Sequence, residues 1–237
     1  RSTLFPYTTL FRSQKGDISY EYKVFAPSSY VSNPTLELPL VTYIPDSSYV
    51  GGTWTQYQKA ACPLNWASEE AMEENPFLLL SIRFLETSTS ANAAKDVNEI
   101  IDAVAKDYRV KANKLYLTGQ SMGGILDFAI NDAYPDKFAA TFYVGCQPGG
   151  DVHDEQYDAI LSSKRYEKQK FVYIASRKDE KAPYGQDDIE AALKEDGIDY
   201  GLLYGLDHQD KNLDATIKAE LDKGHDRYFF GYTQLTS

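Results

Sequence analysis

The sequence predicts an α/β protein, a mostly parallel central sheet flanked by helices. Three observations predict it. Short β-rich runs alternate with segments of helical period, the pattern of repeated βαβ units. Two of the runs, "LPLVTYIP" (38–45) and "PFLLLSIRF" (76–84), read as continuous buried strands, covered on both faces. Residues 14–237 also have the length that suits one α/β domain with a substantial core.

The elements follow in order. "ISYEYKVFAP" (18–27) alternates as a half-exposed strand does. Between the two apolar runs, "SEEAMEE" (68–74) reads as a helix with Ser68 as its N-cap and acidic residues in its first turn, where the dipole favours them. "AAKDVNEIIDAVAKDY" (93–108) places Val97, Ile100, Ile101 and Val104 on one helical face. A strand "KLYLTG" (114–119), a helix from Met122 to about Tyr134 and a strand "FAATFYVGC" (138–146) come next. "KFVYIAS" (170–176) is a further buried strand. A helix (187–196), a strand "DYGLLYG" (199–205), a helix (211–223) and a strand "RYFFGY" (227–232) complete the pattern.

Composition narrows the partners. Twenty-four basic against 35 acidic residues give a formal charge of −11. Such a chain repels nucleic acid and anionic lipid, which favours neutral or cationic substrates. No apolar stretch approaches the roughly 20 residues a membrane helix needs, so no membrane span is expected. Cys62 and Cys146 are too few for a disulfide framework; both lie in apolar contexts that suit buried thiols, with one disulfide as the alternative. No His/Cys cluster has ligand spacing, so neither a metal nor an organic cofactor is expected. Oligomeric state stays open.

Residues 1–13, "RSTLFPYTTLFRS", stand apart. Reverse-translated, they look like a common short-read sequencing adapter, which points to assembled environmental (metagenomic) DNA. They are expected to be an artefact, with a β-prone N-terminal strand as the alternative. The domain is then residues 14–237, open to truncation at both ends, and without Arg1 and Arg12 its formal charge is −13.

The strong motif is "YLTGQSMGG" (116–124), where Gly119-Gln120-Ser121-Met122-Gly123 forms G-x-S-x-G between a strand and a helix. That context defines a nucleophile elbow. Its serine sits on a very tight, strained turn, and the flanking glycines leave room where strand and helix nearly touch. Ser121 is thereby lifted to the N-terminus of a helix, whose dipole, with the backbone N–H of Met122, favours an oxyanion formed by attack on a carbonyl. An ordinary serine in a Gly-rich turn is the plain alternative.

With this motif the chain resembles the α/β-hydrolases, most of all secreted or surface carboxylesterases related to feruloyl esterases and polyhydroxyalkanoate depolymerase-like esterases. The resemblance spans about residues 18–232 and is carried by "YKVFAP", "PLVTYIPDSS", "NWASEE", "YRVKANKLYLTGQSMGG", "YPDKFAATFYVGCQ" and "SRKDEKAPYG". It implies an α/β-hydrolase fold, a Ser–Asp–His triad, a small-molecule ester substrate and a secreted or cell-surface setting. In that family the acid follows the second strand after the nucleophile. Asp179 in "SRKDEKAPYG" matches, with Pro183 fixing the turn, and Glu180 and Asp187 are its neighbours. Its carboxylate would accept the histidine's Nδ1–H and stabilise the imidazolium.

Three histidines compete for the base. His153 precedes the acid, against the Ser…Asp…His order, and His225 suits a helix C-terminus. His208 follows a strand 29 residues after Asp179; the alternative is a histidine beyond Ser237. The second oxyanion donor is expected from the loop after the first central strand, and Ser47 is the choice, an exposed turn being the alternative. In "SYVGGTWTQYQKAACPLNW" (48–66), Trp54, Tyr57 and Trp66 are candidates to stack on an aromatic or sugar moiety of the substrate, with burial as an aromatic's ordinary role. The expected chemistry is hydrolysis of short-chain or feruloyl-type esters through an acyl-enzyme on Ser121. The rivals are a serine peptidase of the prolyl-oligopeptidase type and a non-catalytic hydrolase-fold module.

Overall fold

In a computed structural model, which describes residues 8–15, 18–54, 66–88, 91–148, 170–175 and 200–204, the strand-length runs pair into one sheet. Its strands are β1 (Thr8–Lys15), β2 (Ile18–Phe25), β3 (Leu38–Ile44), β4 (Leu78–Phe84), β5 (Val110–Gln120), β6 (Ala140–Val144), β7 (Lys170–Ala175) and β8 (Tyr200–Tyr204). They lie in the order β1-β2-β4-β3-β5-β6-β7-β8. From β4 to β8 every pairing is parallel, while β1 and β2 add an antiparallel margin. The described helices are α1 (Ser28–Ser32), α2 (Glu69–Glu74), α3 (Ala91–Asp107) and α4 (Met122–Ala133). The expected helices at 187–196 and 211–223 and the strand at 227–232 lie outside the described residues.

Local signals act as the sequence suggests. Ser68 Oγ accepts the Ala71 N–H at 3.2 Å and so caps α2. All seven residues of β4 are buried, the polar Ser81 and Arg83 among them. Val97, Ile100, Ile101 and Val104 of α3 meet Leu40 and Ile44 of β3, Leu80 and Ile82 of β4, and Leu126 and Ile130 of α4 in the larger core. A smaller core covers the opposite face, built from Phe25, Tyr43, Met72, Leu79 and Val144. Cys146 is a buried thiol outside any disulfide, and Cys62 lies outside the described residues.

Two elements differ from the sequence reading. β2 is not half-exposed: Tyr20 and Val24 enter the larger core and Phe25 the smaller. Glu21, which its polarity would put in solvent, is buried because it pairs with Arg83 directly across the strand pair. α1 went unread because five residues carry no period; Tyr30 anchors it, with the Arg109 guanidinium 3.9 Å from its ring centre and hydrogen-bonded to its carbonyl at 2.7 Å.

Thr8–Lys15 pairs antiparallel with β2 from end to end, although part of it falls in the adapter-like segment. Edge pairing satisfies backbone N–H and C=O groups, so an open margin accepts any β-prone segment whatever its origin.

Candidate active site

The parallel register brings the carboxyl ends of the strands to one edge. Ile44 lies beside Gly119, Gln120 beside Val144, and Ala175 beside Tyr204. In open α/β sheets that edge is where ligands bind. β5 ends at Gln120 and α4 begins at Met122, so the chain reverses direction on Ser121 alone. Ser121 has φ +51° and ψ −116°, a conformation that costs a non-glycine residue on the order of 1–3 kcal/mol. Its N–H donates to Val144 O at 2.9 Å, and its carbonyl accepts the Ile125 N–H at 2.9 Å. Both ends of the strained residue are therefore held, and its side chain is partly open to solvent.

Close packing explains the glycines. A Cβ on Gly123 would lie 2.1 Å from Ile44 O, and one on Gly119 would lie 2.4 Å from the Gly123 carbonyl carbon. No side chain fits where β3, β5 and α4 converge. The same contact sets the rim of the site, because Pro45 O lies 2.9 Å from the Gly123 Cβ position and the chain reaches Ser47 two residues later.

The candidate oxyanion donors take up places at that rim. The first backbone bond of α4 is Ile125 N–H to Ser121 O, so the Met122 amide precedes the helical ladder and stays at the positive end of the dipole. Ser47 opens a short 3₁₀ turn (Ser47–Tyr49) that Asp46 caps by accepting the Ser48 N–H at 2.7 Å. Trp54 and Trp66 are half-buried and pack against the smaller core, and Trp54 also has Lys23 Nζ 4.7 Å above its ring. β7 and β8, which precede Asp179 and His208 in sequence, end at the edge that carries Ser121. Asp179, His208 and Tyr57 themselves lie outside the described residues, as do Glu180, Asp187, His153 and His225.

One residue beside the elbow was not anticipated. Asp127 of α4 is fully buried, and among the described residues neither carboxyl oxygen has a hydrogen-bond partner. Its Oδ2 lies 2.7 Å from where a Cβ on Gly119 would be. Burial pushes its carboxyl well above the usual carboxylate range. The available signal was spacing: Gly123, Asp127 and Asn131 recur every four residues and so share one helix face.

No family model and no curated protein sequence matches the chain. Solved structures do. A thermostable esterase superposes with a TM-score of 0.70 at 20% identity, over 95% of this chain and 59% of that one. The fold is that of the α/β-hydrolases. A feruloyl esterase module from Clostridium thermocellum, complexed with sinapinate, gives 0.68 at 12% identity over 97% of this chain and 87% of that one. A provisionally named dipeptidyl aminopeptidase IV from Bacteroides ovatus gives 0.61 at 18% identity, over 95% of this chain and 36% of that one. The chain thus spans less than two thirds of the thermostable esterase and about a third of the aminopeptidase. Among the described residues, no helix is long and apolar enough to cross a membrane.

Proposed function

We propose that this chain is a serine carboxylic ester hydrolase that works through an acyl-enzyme on Ser121. The observation that carries the proposal is the conformation of Ser121, a strained single-residue turn at the carboxyl edge of the sheet and the N-terminus of α4. An ordinary serine has no reason to bear that strain; a nucleophile that must stand clear of the backbone does. Several structures with this fold are named as esterases, which supports the ester over other acyl substrates.

In the proposed reaction a histidine takes the Ser121 hydroxyl proton as the oxygen attacks the ester carbonyl. The Met122 and Ser47 amides receive the oxyanion, the alcohol leaves, and water hydrolyses the acyl-enzyme by the same route. We assign His208 as base and Asp179 as its orienting acid. Short-chain or feruloyl-type esters are the proposed substrates, with Trp54, Tyr57 and Trp66 as candidate contacts, and a secreted or cell-surface location accompanies this reading.

The test is hydrolysis of p-nitrophenyl acetate and a methyl ferulate series by the chain, beside Ser121→Ala and His208→Ala. Triad members act as a unit, so each change should lower kcat by about three orders of magnitude or more. Turnover that survives Ser121→Ala would end the proposal. Feeble turnover, lost with Ser121 but indifferent to His208→Ala, would remove His208 from the role of base. The likeness to the aminopeptidase favours a second reading as a serine peptidase, which predicts faster turnover of dipeptidyl anilides than of esters.

A further inference from the structure

Asp127 takes no part in acyl transfer, yet it packs directly against the elbow. Its Oδ2 reaches within 2.7 Å of the Gly119 Cβ position, and Gly119 packs on Gly123 across the turn that holds Ser121. One helical turn further on, Asn131 Nδ2 donates to Asp127 O at 3.1 Å, to Thr141 Oγ1 at 3.0 Å and to Tyr143 Oη at 2.8 Å. The Asn131 Oδ1 atom, like both Asp127 carboxyl oxygens, is buried with no donor among the described residues. Three buried acceptors that receive no hydrogen disfavour a carboxylate charge, whereas a protonated acid brings a hydrogen of its own.

We propose that Asp127 is a positioning residue for Ser121, kept as the neutral acid, which braces the strand–helix turn from within and unlocks it on ionising. This rests on the esterase reading for its catalytic consequence but not for its physical basis. The surroundings supply no compensating charge among the described residues. β5 meets it at Gly119, and β6 meets the neighbouring Asn131 with Thr141 and the Tyr143 phenol. β3 contributes Ile44 at the Gly123 contact, and the loop after β6 contributes the Cys146 thiol, which packs against Gly124. On α3, Asp102 holds Lys137 beyond the far end of α4, and Asp96 accepts from Tyr20. Ionisation would therefore place an uncompensated negative charge against Gly119, in the turn that holds Ser121, and would draw water into that turn.

The experiment compares the full chain with Asp127→Asn and Asp127→Ala in urea unfolding from about pH 5 to about pH 9. Relative to either variant, the wild-type unfolding constant should rise about tenfold per pH unit until Asp127 ionises in the folded state. Asp127→Ala keeps the test valid even if it is less stable, because the slope reports titration and not baseline stability. Parallel pH dependences in all three proteins overturn the proposal. With p-nitrophenyl acetate, wild type should lose kcat at alkaline pH with KM unchanged; Asp127→Asn should keep kcat there, and Asp127→Ala should lose it at every pH. An alkaline loss identical in wild type and Asp127→Asn also overturns it. Absence of turnover in wild type would count against the esterase reading alone, and the unfolding slopes would still decide Asp127.

Discussion

Glu21 and Asp127 are both buried acids, 5% and 0% exposed, on opposite faces of one sheet. Their surroundings answer the same cost in different ways. Glu21 faces Arg83 across the β2–β4 register, and the Lys23 and Arg83 cations both lie over the Trp54 ring, at 4.7 Å and 5.7 Å. Asp127 faces a glycine and an amide and has no cation among the described residues. The first acid is kept by a partner, the second by a proton. The difference shows that buried polarity here does two jobs, joining strands at one margin and bracing a strained turn at the centre.

Removing the partner from the first acid should have the largest effect. Arg83→Met takes from the buried Glu21 its partner across the strand pair and should cost about 3–5 kcal/mol in denaturant unfolding. Adding Glu21→Leu to that variant should restore most of the loss, since replacing both members of a buried pair is often neutral. If the double variant is as unstable as the single one, the pair is more than a compensated charge.

Gly119→Ala attacks the second site by steric means. The added methyl would stand 2.4 Å from the Gly123 carbonyl carbon and 2.7 Å from Asp127 Oδ2, and overpacking of this kind costs about 1–3 kcal/mol. A loss of kcat larger than the loss of stability explains would locate the damage at Ser121.

The pH response separates the two acids further. Asp127 is protonated in the folded state well above 3.8, its value when unfolded. Between those two points the unfolded chain has released a proton that the native chain retains, so stability falls as pH rises, by about 1.4 kcal/mol per unit. Calorimetric melting of wild type against Asp127→Asn should show that decline in wild type only. The smallest effect belongs to the margin. Deleting residues 1–13 should change kcat less than about twofold, a marginal strand being the least cooperative part of a sheet.

Much of this fold was legible because its signals are local. The runs read as continuous buried strands became β3 and β4, Ser68 capped α2, and the periodic residues of α3 entered the core. The elbow was legible because glycine spacing reports a steric requirement, which the contacts of Gly119 and Gly123 display in full. Glu21 and Asp127 escaped because charge in a sequence reads as exposure, while burial is decided by partners distant along the chain. Arg83 stands 62 residues from Glu21, and Asp127 packs against Gly119 of β5. α4 added to the difficulty, since Leu126, Asp127, Phe128, Ile130 and Asn131 are all buried while the more open positions Ile125 and Ala129 are apolar, so polarity does not mark its faces.

The passage from β5 to α4 on Ser121 alone also fixes what can change in this protein's lineage. An α-helix turns by about 100° per residue, so one residue gained or lost between Ser121 and Asp127 would swing the rest of α4 by that angle and carry Asp127 away from Gly119. Substitutions can accumulate there, but length cannot. Insertions that diversify the protein must fall in other segments, and the joint works as a ruler against which the remaining loops are free to vary.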